Sequence, residues 1–227
     1  MPNVRTPPLD QGGRGIATKS YIIALDEHYY DPEVKRHASG LDAIAAPATV
    51  QCLDDLGELR LKEMDEAGID LQVLSHTMPG LQKLDAETAV PLARRANDRL
   101  AEAVRAHPNR FAAFAALPTA DPKAAADELE RTVGSLGFKE AMANGLTNGV
   151  FLDDKRFWPI FEPAQALDVP LLHASGNPAS CGHRGLLQGL RRETSGNLVR
   201  RLGIYRRDRD ARYSRRVERR IRRLSAP

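Results

Sequence analysis

Between residues 21 and 171 the chain alternates short apolar runs with stretches that are apolar along only one helical side, and this rhythm leaves few folds open. Tyr21-Ile22-Ile23-Ala24-Leu25 is too short for a helix and apolar enough for a buried strand. Leu71 to Leu74 predicts a second strand ending at Ser75-His76-Thr77, Phe111 to Leu117 a third, and Gly137 to Met142 a short fourth. Val169-Pro170-Leu171-Leu172 begins a fifth. Helices are predicted between them. Leu53 to Ala67 places Leu56, Leu59, Met64 and Ala67 on one side and stops at Gly68. Pro91 to Ala106 spaces Ala93, Ala96, Leu100 and Val104 for one face, with Pro91 in the first turn. Asp121-Pro122 pairs an N-cap with a proline preset at the first helical position, and that helix runs to about Ser135. Arg156 to Leu167 is a helix interrupted at Pro159 and Pro163. Residues 31–50 read as a long loop, and Asn144 to Gly149 as a turn-rich one.

Strand and helix in alternation with short connections predict a parallel α/β architecture. No GxGxxG follows the first strand and no GxxxxGK[ST] occurs, so a (β/α) barrel is favoured over a nucleotide-binding doubly wound sheet. In such barrels functional side chains sit at the C-terminal ends of strands. Asp26, His28, His76 and His173 all fall at or near those positions.

Charge divides the chain. Residues 184–227 carry 15 arginines, no lysine and four acids, a net of +11, so the remaining residues carry −8 of the overall +3. Such asymmetry is what a nucleic-acid-binding segment would show. Against that, the segment interleaves few aromatics beyond Tyr205 and Tyr213. Two cysteines, Cys52 and Cys181, form neither a disulfide framework nor a zinc-finger spacing, which points to a reducing cytoplasm. No run reaches the length of a membrane span, and residues 1–19 lack the apolar core of a secretory signal, reading instead as a flexible lead-in.

Asp26-Glu27-His28 is the first place where chemistry concentrates. In extended backbone residues i and i+2 share a face. Asp26 and His28 can therefore meet one divalent metal while Glu27 points away. A carboxylate with an imidazole suits zinc or manganese, and either needs further ligands. The plainer reading is that both residues decorate a strand-to-loop turn. His76 is a candidate for the mouth or a loop histidine, His37 and His183 lack a partner pattern, and His107-Pro108 reads as a helix end.

The run Ile23-Ala24-Leu25-Asp26-Glu27-His28 resembles the opening of the amidohydrolase-related family that includes γ-resorcylate and other aromatic-acid decarboxylases. Met64 to Asp70, Asn109 to Pro118, Gly137-Phe138-Lys139 leading to Asn144-Gly145, and Asp153 to Pro170 with Phe157-Trp158-Pro159-Ile160-Phe161-Glu162 resemble the same family in the same order. The resemblance implies a partial (β/α)8 TIM-type barrel of about five βα units, a zinc or manganese ion in its mouth, and a small aromatic carboxylic acid as substrate. It implies a metal that chelates the carboxylate and neighbouring phenolic oxygen, and a late-strand Asp that protonates the ring carbon as CO₂ leaves. In hydrolytic relatives the metal activates water for amide, ester or lactone cleavage. The family's first two ligands map to Asp26 and His28, with Asp26 standing where Glu is usual. A third, a strand-five histidine in Val-Pro-Leu-Tyr-x-His-Pro, finds His173 one residue early in Val169-Pro170-Leu171-Leu172-His173-Ala174. A one-residue slip turns a strand side chain to the other face. No counterpart of the late-strand Asp is found. The family also implies homo-oligomers.

Three units are expected: a lead-in over 1–19, the N-terminal part of a barrel over 20–173, and an irregular, non-homologous Arg-rich tail over 174–227. Codons compatible with Leu172 to Pro178, read one base later, give Tyr-Met-His-Pro-Gly-Ile-Pro, which resembles the family's continuation. The expectation is therefore a truncated, frameshifted and inactive carboxy-lyase.

Overall fold

The computed structural model describes residues 21–38, 47–78, 80–174 and 204–206. Six strands lie side by side in chain order, every pair parallel: β1 (Ile23–Tyr29), β2 (Leu71–His76), β3 (Phe111–Ala116), β4 (Glu140–Asn144), β5 (Leu171–Ala174) and β6 (Ile204–Arg206). The strand order never reverses. A doubly wound sheet must reverse, so this is the winding of a barrel, here a curled half-barrel. The five expected βα strands are present. β6 adds a short sixth inside the segment expected to be irregular, while the rest of the tail and residues 1–20 lie outside the described residues.

The helices are α1 (Pro32–Lys35), α2 (Pro47–Asp54), α3 (Glu58–Ala67), α4 (Ala86–Ala106), α5 (Pro122–Gly134) and α6 (Trp158–Ala166), the last preceded by a 3-10 turn at Lys155–Phe157. Asp121 caps α5 as its Asp-Pro pair predicts, accepting from the Lys123 and Ala124 amides. Asp31-Pro32 does the same for α1, inside the stretch expected to be a loop. The helix expected from residue 53 is two helices. Asp55 breaks it by accepting from the Gly57 and Arg60 amides, and Gly68, at φ 71, closes α3 in the left-handed conformation that glycine adopts without penalty. α4 begins five residues earlier than its proline suggests. Asp85 accepts from the Thr88 amide and fixes that start, which leaves Pro91 inside the helix.

Strand alternation sorts the core into two faces. Leu74, Phe111, Ala113, Ala115, Ala141 and Leu171 pack outward against Met64, Leu100, Leu129 and Ile160 of the helices. Leu71, Val73, Ala112, Phe114, Met142 and Leu172 pack together on the inward face, with Ile23 and Leu25 against them. Asn97 of α4 closes the top of β3: its amide donates to the Ala116 carbonyl at 3.0 Å and its oxygen accepts the Ala116 N–H at 3.0 Å, imitating a strand neighbour. It also donates to Glu128 on α5 at 2.7 Å. Replacing Asn97 with Leu strands two buried backbone groups, and urea unfolding should show a loss of roughly 2–4 kcal/mol.

Candidate metal site

Asp26 and His28 lie within β1, not after it, and a bulge explains how both turn inward. Ala24 pairs with Gln72 and Glu27 with Leu74, so β1 spends two residues where β2 spends one. The extra residue is absorbed at Asp26, whose φ of 60° is left-handed, a region Asp enters more readily than most residues. Before the bulge Ile23 and Leu25 face the interior. After it His28 takes the interior, paired with Ser75, while Glu27 pairs with outward-facing Leu74.

The two side chains meet at Ser75. Its hydroxyl donates to Asp26 Oδ1 at 2.7 Å and lies 3.0 Å from His28 Nδ1, with His28 Nδ1 and Asp26 Oδ1 3.7 Å apart. Asp26 and Ser75 are buried and His28 is half-buried. From outside, Arg60 on α3 donates to the His28 carbonyl at 2.9 Å, to the Cys52 carbonyl at 2.9 Å and to Gln72 at 3.2 Å, clamping the backbone that carries His28. Burial of Arg60 pulls its pKa below the usual guanidinium value, and the charge of Glu27 opposes that pull.

His76 is not at the mouth. It is buried between the rings of Tyr29 and Tyr30, its Nδ1–H donates to the Thr77 carbonyl at 2.7 Å, and its Nε2 accepts the Asp31 amide at 3.2 Å. Both ring nitrogens are committed to backbone. His173 pairs with Ala143, on the outward-facing parity of β5, and its Nε2 lies 2.8 Å from the Gly145 carbonyl, a geometry in which that nitrogen donates. The structure brings Asp26 and His28 together and leaves His173 apart from them. Among the described residues no group of three or more His, Cys, Asp or Glu converges as a metal site. Asp26 and His28 fit two positions of a divalent cation, a hard oxygen and a borderline nitrogen, and the described residues do not complete the set.

Sequence reasoning missed Ser75, although Leu71 and Val73 set its parity. It also missed the polar rim beyond the strands. Asn144, at the end of β4, donates to the His76 carbonyl at 3.1 Å, and Gln82 donates to the Leu117 carbonyl at 3.1 Å and accepts from the Asn144 amide at 3.3 Å. Gly80, at φ 60, lets Gln82 approach so closely that a Cβ there would stand 2.6 Å from its Oε1. Asn144 Oδ1 is buried and accepts no hydrogen bond among the described residues.

The loop after β1 is pinned by charge. Arg99 on α4 donates to both oxygens of buried Asp31 at 2.7 and 2.8 Å and to Glu33 at 2.7 Å. Burial alone would raise the Asp31 pKa, but hydrogen bonds from Arg99 and the Val34 and Glu33 amides hold it below the usual carboxylate value. Burial pulls the His76 pKa down from 6.5 to about 4. The unfolded chain therefore takes up this proton from about pH 6.5 downward while the folded imidazole resists until about 4. Stability present at neutral pH is lost as pH falls through that window, by up to roughly 3 kcal/mol. Urea titrations from pH 7.5 to 4 should show the loss, and His76→Gln should flatten it.

The chain is 41% identical over 164 residues to a γ-resorcylate decarboxylase of a Polaromonas species, covering 69% of this chain and 50% of that protein. It is 39% identical over 167 residues to the γ-resorcylate decarboxylase of Rhodococcus jostii, covering 69% and 51%. The chain thus spans about half the length of the curated relatives it matches. A 5-carboxyvanillate decarboxylase from Novosphingobium aromaticivorans, solved with manganese and 4-hydroxy-3-methoxy-5-nitrobenzoic acid, superposes with a TM-score of 0.67 at 34% identity over 75% of this chain and 55% of that one. A dihydroxybenzoic acid decarboxylase from Polaromonas, solved with manganese and 2-nitroresorcinol, gives 0.65 at 37% identity over 75% and 53%. No helix among the described residues is long and apolar enough to cross a membrane. The amidohydrolase family model matches residues 47–223, a span that includes the arginine-rich segment, and with the parallel half-barrel this establishes that the chain belongs to the amidohydrolase family.

Proposed function

We propose that this protein is built for metal-dependent decarboxylation of a hydroxybenzoate-type aromatic acid, with Asp26 and His28 as two ligands of one divalent cation, manganese before zinc. The observation that carries the reading is the inward convergence of these two side chains on Ser75 at the C-terminal ends of β1 and β2, the end at which barrels of this type place their chemistry. The decarboxylases among its relatives favour carbon–carbon cleavage over the hydrolytic alternative. Manganese is favoured because the solved relatives hold it, the carboxylate–imidazole pair by itself suiting zinc as well.

A bound cation would supply Lewis-acid chelation of the substrate carboxylate and its ortho oxygen. The hydrogen bond from Ser75 fixes the orientation of the Asp26 carboxyl group, and the Arg60 clamp keeps the His28 backbone from drifting. The interior apolar face formed by Leu25, Val73, Phe114 and Met142 excludes water beneath the site and suits the face of an aromatic ring. Decarboxylation also needs a proton for the ring carbon as the bond to the carboxylate breaks. No described residue at the mouth fills that role, and His173 is left out of the ligand set by its register and its bond to Gly145. We therefore propose that the 227-residue chain alone binds a cation weakly and turns over little or no substrate.

Manganese titration followed by electron paramagnetic resonance should detect a site that Asp26→Ala or His28→Ala weakens by about tenfold or more, each substitution removing one of the two ligands. Incubation with manganese and 2,6-dihydroxybenzoate should yield no resorcinol by chromatography. Binding indifferent to both substitutions sinks the ligand assignment, and metal-dependent resorcinol formation sinks the proposal of inactivity.

A further inference from the structure

Ser75 is fully buried on the inward face of β2, and its hydroxyl touches both candidate ligands. A hydroxyl has one proton, and here it is given to Asp26 Oδ1 at 2.7 Å. Toward His28 Nδ1, 3.0 Å away, the same oxygen can then only accept. That contact is a hydrogen bond only if His28 carries its proton on Nδ1. The neutral imidazole then has its lone pair on Nε2, the opposite edge of the ring. A freely solvated imidazole favours the other tautomer, so the order His28 Nδ1–H to Ser75 Oγ–H to Asp26 Oδ1 imposes a choice that His28 would not make by itself.

We propose that Ser75 is a positioning residue which joins Asp26 and His28 into one unit and fixes His28 in the Nδ1–H tautomer, directing its Nε2 lone pair to the same cation as the Asp26 carboxylate. The inference rests on the reading of Asp26 and His28 as metal ligands, but the tautomer does not. The bulge matters here too. Only by turning His28 to the face of Ser75 does β1 bring the imidazole within reach of this hydroxyl. Hydrogen bonds behind metal-binding histidines commonly set ring orientation and basicity, and their loss costs about 10–100-fold in metal affinity.

The test starts on metal-free, uniformly ¹⁵N-labelled full-length protein at pH 8, with two-bond ¹H–¹⁵N correlation and the His28 signals assigned by their loss in His28→Gln. The wild type should show protonated Nδ1 and unprotonated Nε2 at His28. Ser75→Ala should move His28 toward the Nε2–H pattern, and Ser75→Thr, which keeps a hydroxyl, should retain the wild-type pattern. Wild-type His28 protonated on Nε2, or a pattern unchanged in Ser75→Ala, overturns the relay. The wild-type spectrum decides the point even if Ser75→Ala fails to fold. Manganese affinity should then fall about 10–100-fold in Ser75→Ala and stay near wild type in Ser75→Thr. An unchanged affinity in a folded Ser75→Ala overturns the positioning role. If no form binds manganese, the ligand reading falls and takes the cation-directing half of the proposal with it, while the tautomer result stands or falls separately.

Discussion

One extra residue in β1 governs the site. The bulge at Asp26 changes which side of the strand faces the interior, so a strand that enters the sheet with Ile23 and Leu25 inward leaves it with Asp26 and His28 inward. A straight strand would have placed Glu27 with the interior residues and turned His28 outward, because side-chain direction alternates strictly with residue number. Asp26 adopts a left-handed φ that costs most residues of order 1–2 kcal/mol, and the surrounding sheet holds it there. Bulges are common beside functional sites because they re-aim side chains without altering the fold around them.

The chain spends buried polar interactions to keep that geometry. Arg60 grips the His28 carbonyl from the helix side, and Arg99 grips Asp31 two residues past the end of β1. His76 fills the space between, its ring nitrogens holding the Asp31 amide and the Thr77 carbonyl. Burial, with the Asp31 charge, pushes the Tyr29 phenol above its ordinary pKa, so it stays neutral against the outward core. Asp31, Arg60 and His76 would each be costly to bury alone, and each makes at least one hydrogen bond with a segment far away in sequence. The end of β1 is thereby tied to α3, β2 and α4 at once.

Beyond the strands, the rim is stitched sideways. Gln82, after β2, reaches the ends of β3 and β4, and Asn144 reaches back to β2. Thr119 and Thr147 share a 2.6 Å hydrogen bond between the loops after β3 and β4. These contacts shape the mouth from side chains that no local pattern in the sequence singles out, since each partner lies dozens of residues away.

The sequence by itself determined the alternating parallel architecture, because strand length, helical periodicity and Asp-Pro caps are local properties that tertiary contacts had no reason to override. It determined the Asp26–His28 pair, because the i, i+2 spacing survives inside a strand even when the strand bulges. It also exposed the trouble at His173, since a one-residue displacement within a strand is a change of face that can be counted on the page, and the register with Ala143 places it so. Tertiary structure decided the rest. Which way Asp26 and His28 turn depends on a mismatch between two strands, so it is invisible in either alone. Ser75 came to touch Asp26 and His28 only because β2 lies beside β1, and His76 was withdrawn from them because it is buried between two tyrosine rings with both of its nitrogens bonded to the Asp31 amide and the Thr77 carbonyl. Local pattern chooses the elements and the residue types, whereas the pairing of strands decides which atoms face one another.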